Sequence, residues 1–297
     1  MFDLRYHVAS LAAVFFALVI GILVGVALTS HGLNNTERKK LEAELSSAQG
    51  RIADLQLAVQ ADNADSTFVK GAYTAVMANR LRNKHVAVLY VGPVSKSVRA
   101  DVNDTLNDAG AVMIRMRAIS VPINAHTIEA SLAKRSALAS FTVGPKRFAN
   151  IGRELADEFT LGGDTPLWDA LEGQLVEERV GGGKRPADAV VVVRTAQPQT
   201  GHATAQIVGN LLSELANGSV PAVGVEASGT RPSAVPTYKH VGLSSVDDVD
   251  LPIGRVALAV LLSGPGENGH YGLQSSLDDS ILPDPIPPVT TSTTTGG

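Results

Sequence analysis

The sequence predicts an α/β chain built from three parts in series. These are an N-terminal transmembrane helix, a coiled-coil stalk, and a Rossmann-like three-layer domain with a largely parallel sheet and a helical insertion. Three observations predict it. Val8 to Ser30 contains no charged residue. Apolar residues recur at heptad spacing from Leu41 to Val59. Two strand–helix–strand units then follow, beginning near Lys84 and Ala187. The expected boundaries are a short N-terminus at 1–7, the span at 8–30, the stalk at 33–68, the α/β domain at 70–282 and a Pro/Thr-rich tail at 283–297.

The apolar run reads VASLAAVFFALVIGILVGVALTS. At the helical rise it would extend about 35 Å, against about 30 Å of hydrocarbon. A cleaved signal peptide has a shorter apolar region and ends in small residues, whereas Asn and charged residues follow here. Gly21 and Gly25 form a G-x-x-x-G pair, which favours close pairing of helices in lipid; Gly is also simply common in such spans. Orientation is ambiguous by local charge. Arg5 precedes the run, while Arg38, Lys39 and Lys40 follow it interleaved with Glu37, Glu42 and Glu44.

In the stalk, Leu41, Leu45, Ala48, Ile52, Leu55 and Val59 repeat at spacings of 4, 3, 4, 3 and 4, the seam of a coiled coil. Gly50 weakens its middle by roughly 1 kcal/mol relative to Ala. The expectation is a parallel homodimer through this seam. The alternative is one amphipathic helix lying on the body.

In the body, KHVAVLYV (84–91) reads as a buried strand, 95–109 as a helix closed by Gly110, and AVMIRM (111–116) as the returning strand. ADAVVVV (187–193), a helix over 203–216 and VPAVGV (220–225) make the second unit. Between them, 127–139, 146–159 and 166–180 carry helical periodicity and form the insertion. Near the end, Asp250 is a candidate cap for a helix with Pro252 in its first turn, although VALAVLL reads equally well as a strand. From Pro283, four Pro and five Thr in the fifteen residues PDPIPPVTTSTTTGG predict a disordered tail.

Composition narrows function more by exclusion. Cysteine is absent, which removes disulfides, thiolate metal sites and Cys nucleophiles. A net charge of −4 argues against nucleic-acid binding. Gly264, Gly266 and Gly269 match G-x-G-x-x-G, but no helix follows to hold a pyrophosphate, so a turn is expected. No nucleophile, base or cofactor constellation is visible, and no enzyme is expected. The candidate metal ligands are few. Met113 and Met116 form M-x-x-M, whose thioethers suit Cu(I) if the segment is helical and fill core if it is a strand. His270 is the remaining candidate, its alternative being a turn histidine bonded to backbone. Asp247, Asp248 and Asp250 either hold a hard cation or form an acidic helix-capping loop.

The opening YHVASLAAVFFALVIGILVG resembles the start of the actinobacterial copper transporter family, the MctB-like envelope proteins. Further similar segments are the heptad stretch, the first βα unit, Gly229-Thr230-Arg231-Pro232, Val246-Asp247-Asp248-Val249-Asp250, Gly254-Arg255 and Gly269-His270-Tyr271-Gly272. The resemblance covers nearly all of the chain before the tail. It implies a role in copper homeostasis or efflux, with copper as cargo, a cytoplasmic 1–7 and an extracytoplasmic 70–282. A single helix cannot line a copper path alone, so a second copy or an envelope partner is expected. The competing expectation is a dimeric coiled-coil scaffold or regulator of envelope or division machinery without transport activity.

Overall fold

The computed structural model describes residues 4–28, 35–182, 184–194, 201–264, 268–274 and 280–284. It divides into two compact units, Met1–Thr67 and Phe68–Gly297.

The first unit holds α1 (Leu4–Leu28) and the greater part of α2 (Asn35–Met77). Among the described residues no helix is long and apolar enough to cross a membrane. This corrects the transmembrane part of the expected fold. The described side chains of α1 run from 11 to 25. The rest of the expected 8–30 span lies outside the described side chains. Gly21 and Gly25 both face open space. On α2, a 43-residue helix, Leu41, Ile52 and Leu55 are exposed and Leu45 is half-buried. Ala48 is also exposed, and the side chain of Val59 lies outside the described residues.

The second unit is built on one seven-stranded mixed sheet. Its strands are β1 (His85–Val91), β2 (Val112–Ile119), β3 (Val176–Val180), β4 (Ala189–Arg194), β5 (Ala222–Val225), β6 (Ser244–Val246) and β7 (His270–Tyr271). They lie in the order β3-β2-β1-β4-β5-β6-β7. Every neighbouring pair is parallel except β2–β3. The order reverses between β1 and β4, as in doubly wound sheets.

Strand alternation sorts the core into two layers. Ala87, Leu89, Val190 and Val192 face one cluster with Phe148, Leu155, Trp168 and Leu211. Val86, Val88, Val191 and Val193 face the other with Val102, Leu106, Leu258 and Leu262. The first layer is covered by α4 (Ala125–Ala133), α5 (Arg147–Leu161), α6 (Pro166–Ala170), α7 (His202–Asn217) and α8 (Val235–Val241). The second is covered by α3 (Lys96–Asp108) and α9 (Pro252–Ser263), with Met77 and Leu81. Both central strands are buried on both faces, hence their continuous Val-rich runs.

Local chemistry sets the helix ends. Ser95 caps α3 by accepting the Val98 N–H at 3.3 Å, and Gly110 takes φ +75° just past the helix. Gly152 of α5 lies against the α7 backbone, where a Cβ would collide with the Ile207 carbonyl.

Several expectations are corrected in detail. The periodic stretch 166–180 is one short helix, α6, followed by β3, which pairs antiparallel at the sheet edge. Glu172-Gly173 turns the chain between them, with Gly173 at φ +75°. The segment 252–263 is helical, and Leu251, not Asp250, occupies its cap position. The M-x-x-M segment is strand, so the helical arrangement of Met113 and Met116 does not form. Of the tail, only residues 283 and 284 are described.

Candidate functional site

Parallel strands end on the same side of a sheet, so the residues just after β5, β6 and β7 converge there. Glu226 follows β5, Asp247 and Asp248 follow β6, and Gly272 follows β7. Backbone bonds lock the convergence: Glu226 N–H donates to the Val246 carbonyl at 2.9 Å and Asp247 N–H to the Tyr271 carbonyl at 3.1 Å.

Glu226 is 2% exposed and its carboxylate accepts the Ser233 hydroxyl and the Ala234 N–H, each at 2.6 Å. Burial raises its pKa, and the Asp247 charge raises it further against those two bonds. Asp247 is fully buried and its Oδ1 accepts the Gln274 N–H at 3.3 Å. Asp248 is fully buried too, and neither carboxylate oxygen has a hydrogen bond of ordinary geometry. Burial, then the Asp247 charge, pushes its pKa up to about 6, with the Leu273 N–H pulling the other way. Asp250 is the opposite case. Burial alone would raise it, but the Ser228 hydroxyl and N–H, both at 2.6 Å, and the nearby Arg255 hold it below the usual carboxylate range.

Gly254 and Gly272 are part of this packing. A Cβ on Gly254 would overlap the Asp248 carbonyl and Oδ1, and one on Gly272 would overlap Asp247 Oδ1. Arg255 continues the frame, donating to Asp101 of α3 at 2.7 Å and to the Val249 carbonyl at 3.3 Å. Burial and the neighbouring Asp247 charge thus make the ionised form of Asp248 costly.

The candidate metal ligands are not brought together. His270 lies on β7, with Nδ1 2.9 Å from Ser245 Oγ. Met116 is buried in the α3/α9 layer, and Met113 is 40% exposed at the start of β2. β2 and β7 are five strand spacings apart, about 24 Å. Among the described residues no three His, Cys, Asp or Glu side chains are grouped to hold a metal ion. Asp247 and Asp248 are packed against Gly272 and Gly254, and Asp250 is bonded to Ser228.

The crevice at the strand-order reversal is only partly described, because 195–200 lie outside the described residues. Ser95 Oγ and Ser97 Oγ stand 3.0 Å apart there. Arg99 lies over the Tyr90 ring, 4.4 Å from its centre, and pairs with Glu178. Sequence reading missed Glu226. Its available signal was a lone carboxylate ending the apolar run VPAVGVE, where a parallel strand opens onto the loop face.

The chain matches the family described as "Copper transport outer membrane protein, MctB" over residues 1–282. It is also similar to the protein named "Copper transporter MctB" from Mycobacterium bovis and from two strains of Mycobacterium tuberculosis. Each is 24% identical over 310 residues, spanning 92% of this chain and 96% of the relative.

Proposed function

The chain belongs to the MctB copper-transport outer membrane protein family, and from that premise we propose that it acts in copper homeostasis or efflux at the cell envelope. The observation that carries this reading is the family match over 1–282, which takes in the stalk and the whole sheet domain together. Copper is the cargo, and 70–282 works outside the cytoplasm. The described residues offer no grouped His or carboxylate set for a resident ion. The reading therefore assigns the copper step to an assembly, either a second copy joined along α2 or an envelope partner. No catalytic activity is part of this reading.

The test is a deletion strain. It should be more sensitive to copper than wild type, should accumulate more cell-associated copper, and should recover with the full chain. Wild-type tolerance together with wild-type copper content overturns the proposal.

A second reading is favoured by one observation, the row of exposed apolar residues Leu41, Ile52 and Leu55 on α2. On this reading the protein is a dimeric coiled-coil scaffold for envelope or division machinery. Deleting 41–59 should then abolish partner recruitment while copper tolerance stays intact. Loss of copper tolerance with recruitment unchanged favours the first reading.

A further inference from the structure

One buried acid in the sheet domain belongs to neither reading. Glu158 lies near the C-terminal end of α5, is 6% exposed, and points its carboxylate at the start of α6. The Leu167 N–H stands 2.9 and 3.1 Å from its two oxygens, and the Trp168 N–H donates to Oε2 at 3.1 Å. These are orphan donors of a helix's first turn, which need an acceptor when buried. The Thr165 side chain at the cap position does not supply one to α6.

The charged surroundings of Glu158 do not neutralise it. Among the described residues no cationic side chain pairs with its carboxylate. Glu154 lies on its own helix and Asp169 on α6, and Arg179 of β3 is held on Asp169. Arg115 of β2 directs its guanidinium to the backbone carbonyls of Glu158, Phe159 and Arg185. On α7 the titratable residues are His202, packed on Phe148, and Glu214. Burial pushes the Glu158 pKa up to about 7; Glu154 and Asp169 add to the rise, and the Leu167 and Trp168 N–H groups oppose it.

We propose that Glu158 is a proton-operated clip on the helical layer. Ionised, it holds the first turn of α6 through both oxygens. Protonated, one oxygen becomes a donor and only one strong acceptor is left for two amides, which loosens α6 and the turn that leads into β3. The protonated fold is nevertheless the more stable one, because a buried charge has been removed.

The chain carries its own reporter. Trp168 is the sole tryptophan of the sequence. Its indole N–H donates to the Leu155 carbonyl at 3.0 Å, and its ring lies 5.7 Å from that of Phe159. The experiment follows Trp168 emission and the exchange of the Leu167 and Trp168 amides, corrected for intrinsic rates, in the purified full chain from pH 5 to 9. Wild type should show one transition with its midpoint at about 7, with faster corrected exchange on the acid side. Glu158→Gln should abolish the transition, and Asp169→Asn should lower its midpoint. A flat wild-type profile, or an unchanged transition in Glu158→Gln, overturns the proposal. Should that variant fail to fold, an unmoved midpoint in Asp169→Asn overturns it equally.

Discussion

Gly254 is seated directly on Asp248, so that a side chain at Gly254 would overlap both the carbonyl and a carboxylate oxygen of Asp248. The first turn of α9 is thereby fixed against the end of β6. Gly254→Ala should cost about 1–3 kcal/mol or more, because overpacking a filled interior forces backbone shifts. Gly272→Ala should be at least as costly, since its φ of +125° disfavours any side chain and Asp247 fills the space. Gly209, inside α7 with nothing within 4 Å of a Cβ, is the control. Gly209→Ala should stabilise by about 0.5–1 kcal/mol. Chemical denaturation of the three variants against wild type checks the order.

Asp248 makes stability depend on pH. Its native pKa of about 6 lies above the ordinary 3.8. Its favourable contribution is therefore complete below about 3.8 and is lost as pH rises through 6. Asp248→Asn removes the buried charge and should raise the unfolding free energy by about 1–3 kcal/mol at pH 8. Near pH 4 the advantage should shrink toward zero. Denaturation curves at both pH values decide it, and equal effects at both would show that the carboxylate is not desolvated as described.

Arg255 and Asp101 join α9 to α3 at 2.7 Å, with side chains 19% and 20% exposed. A bond so sheltered should outperform a surface pair. A double-mutant cycle with Arg255→Met and Asp101→Asn should give a coupling of about 0.5–3 kcal/mol. A coupling indistinguishable from zero would place the two side chains apart in solution.

The seam of α2 predicts self-association. Leu45→Glu with Ile52→Glu puts charges at two seam positions and should convert a dimer to monomer in sedimentation. The thermal unfolding of the sheet domain should not move. A monomeric wild type would remove the dimer altogether.

The separation of β2 from β7 makes the thioethers and His270 independent. Met113→Leu, Met116→Leu and His270→Ala should each leave copper tolerance unchanged. Met116→Leu conserves volume in a filled layer and should cost under about 1.5 kcal/mol. Loss of copper tolerance in any one of them would assign that side chain a direct part.

The legible part of this fold was the part whose pattern is local. β1 and β4 are sheathed on both faces, so their sequences are unbroken apolar runs, and α3 carries both its Ser95 cap and its closing Gly110. β3 was misread because VEERV sits at an edge: three of its residues are exposed, so no strand-like apolar run survives. β6 and β7 are three and two residues long, and neighbouring strands, not their own composition, hold them. Asp250 has the sequence position of a helix cap but spends its carboxylate on Ser228, twenty-two residues away. At the candidate site, the acidic loop was visible as VDDVD, while Glu226 and the two glycines acquire meaning only once three strand ends meet. At the N-terminus, charge-free sequence predicted a span that the described helices do not provide.

The last paired strand has a practical corollary. The Ser245 amide donates to the Gly269 carbonyl and the Asp247 amide to that of Tyr271. Any shortened version of the protein that stops after α9 would leave those amides bare and turn β6 into a raw, sticky border, the kind of margin along which β-proteins clump. Preparations trimmed to Gly264 for crystallisation or labelling should accordingly precipitate, whereas those retaining Gln274 should stay dispersed.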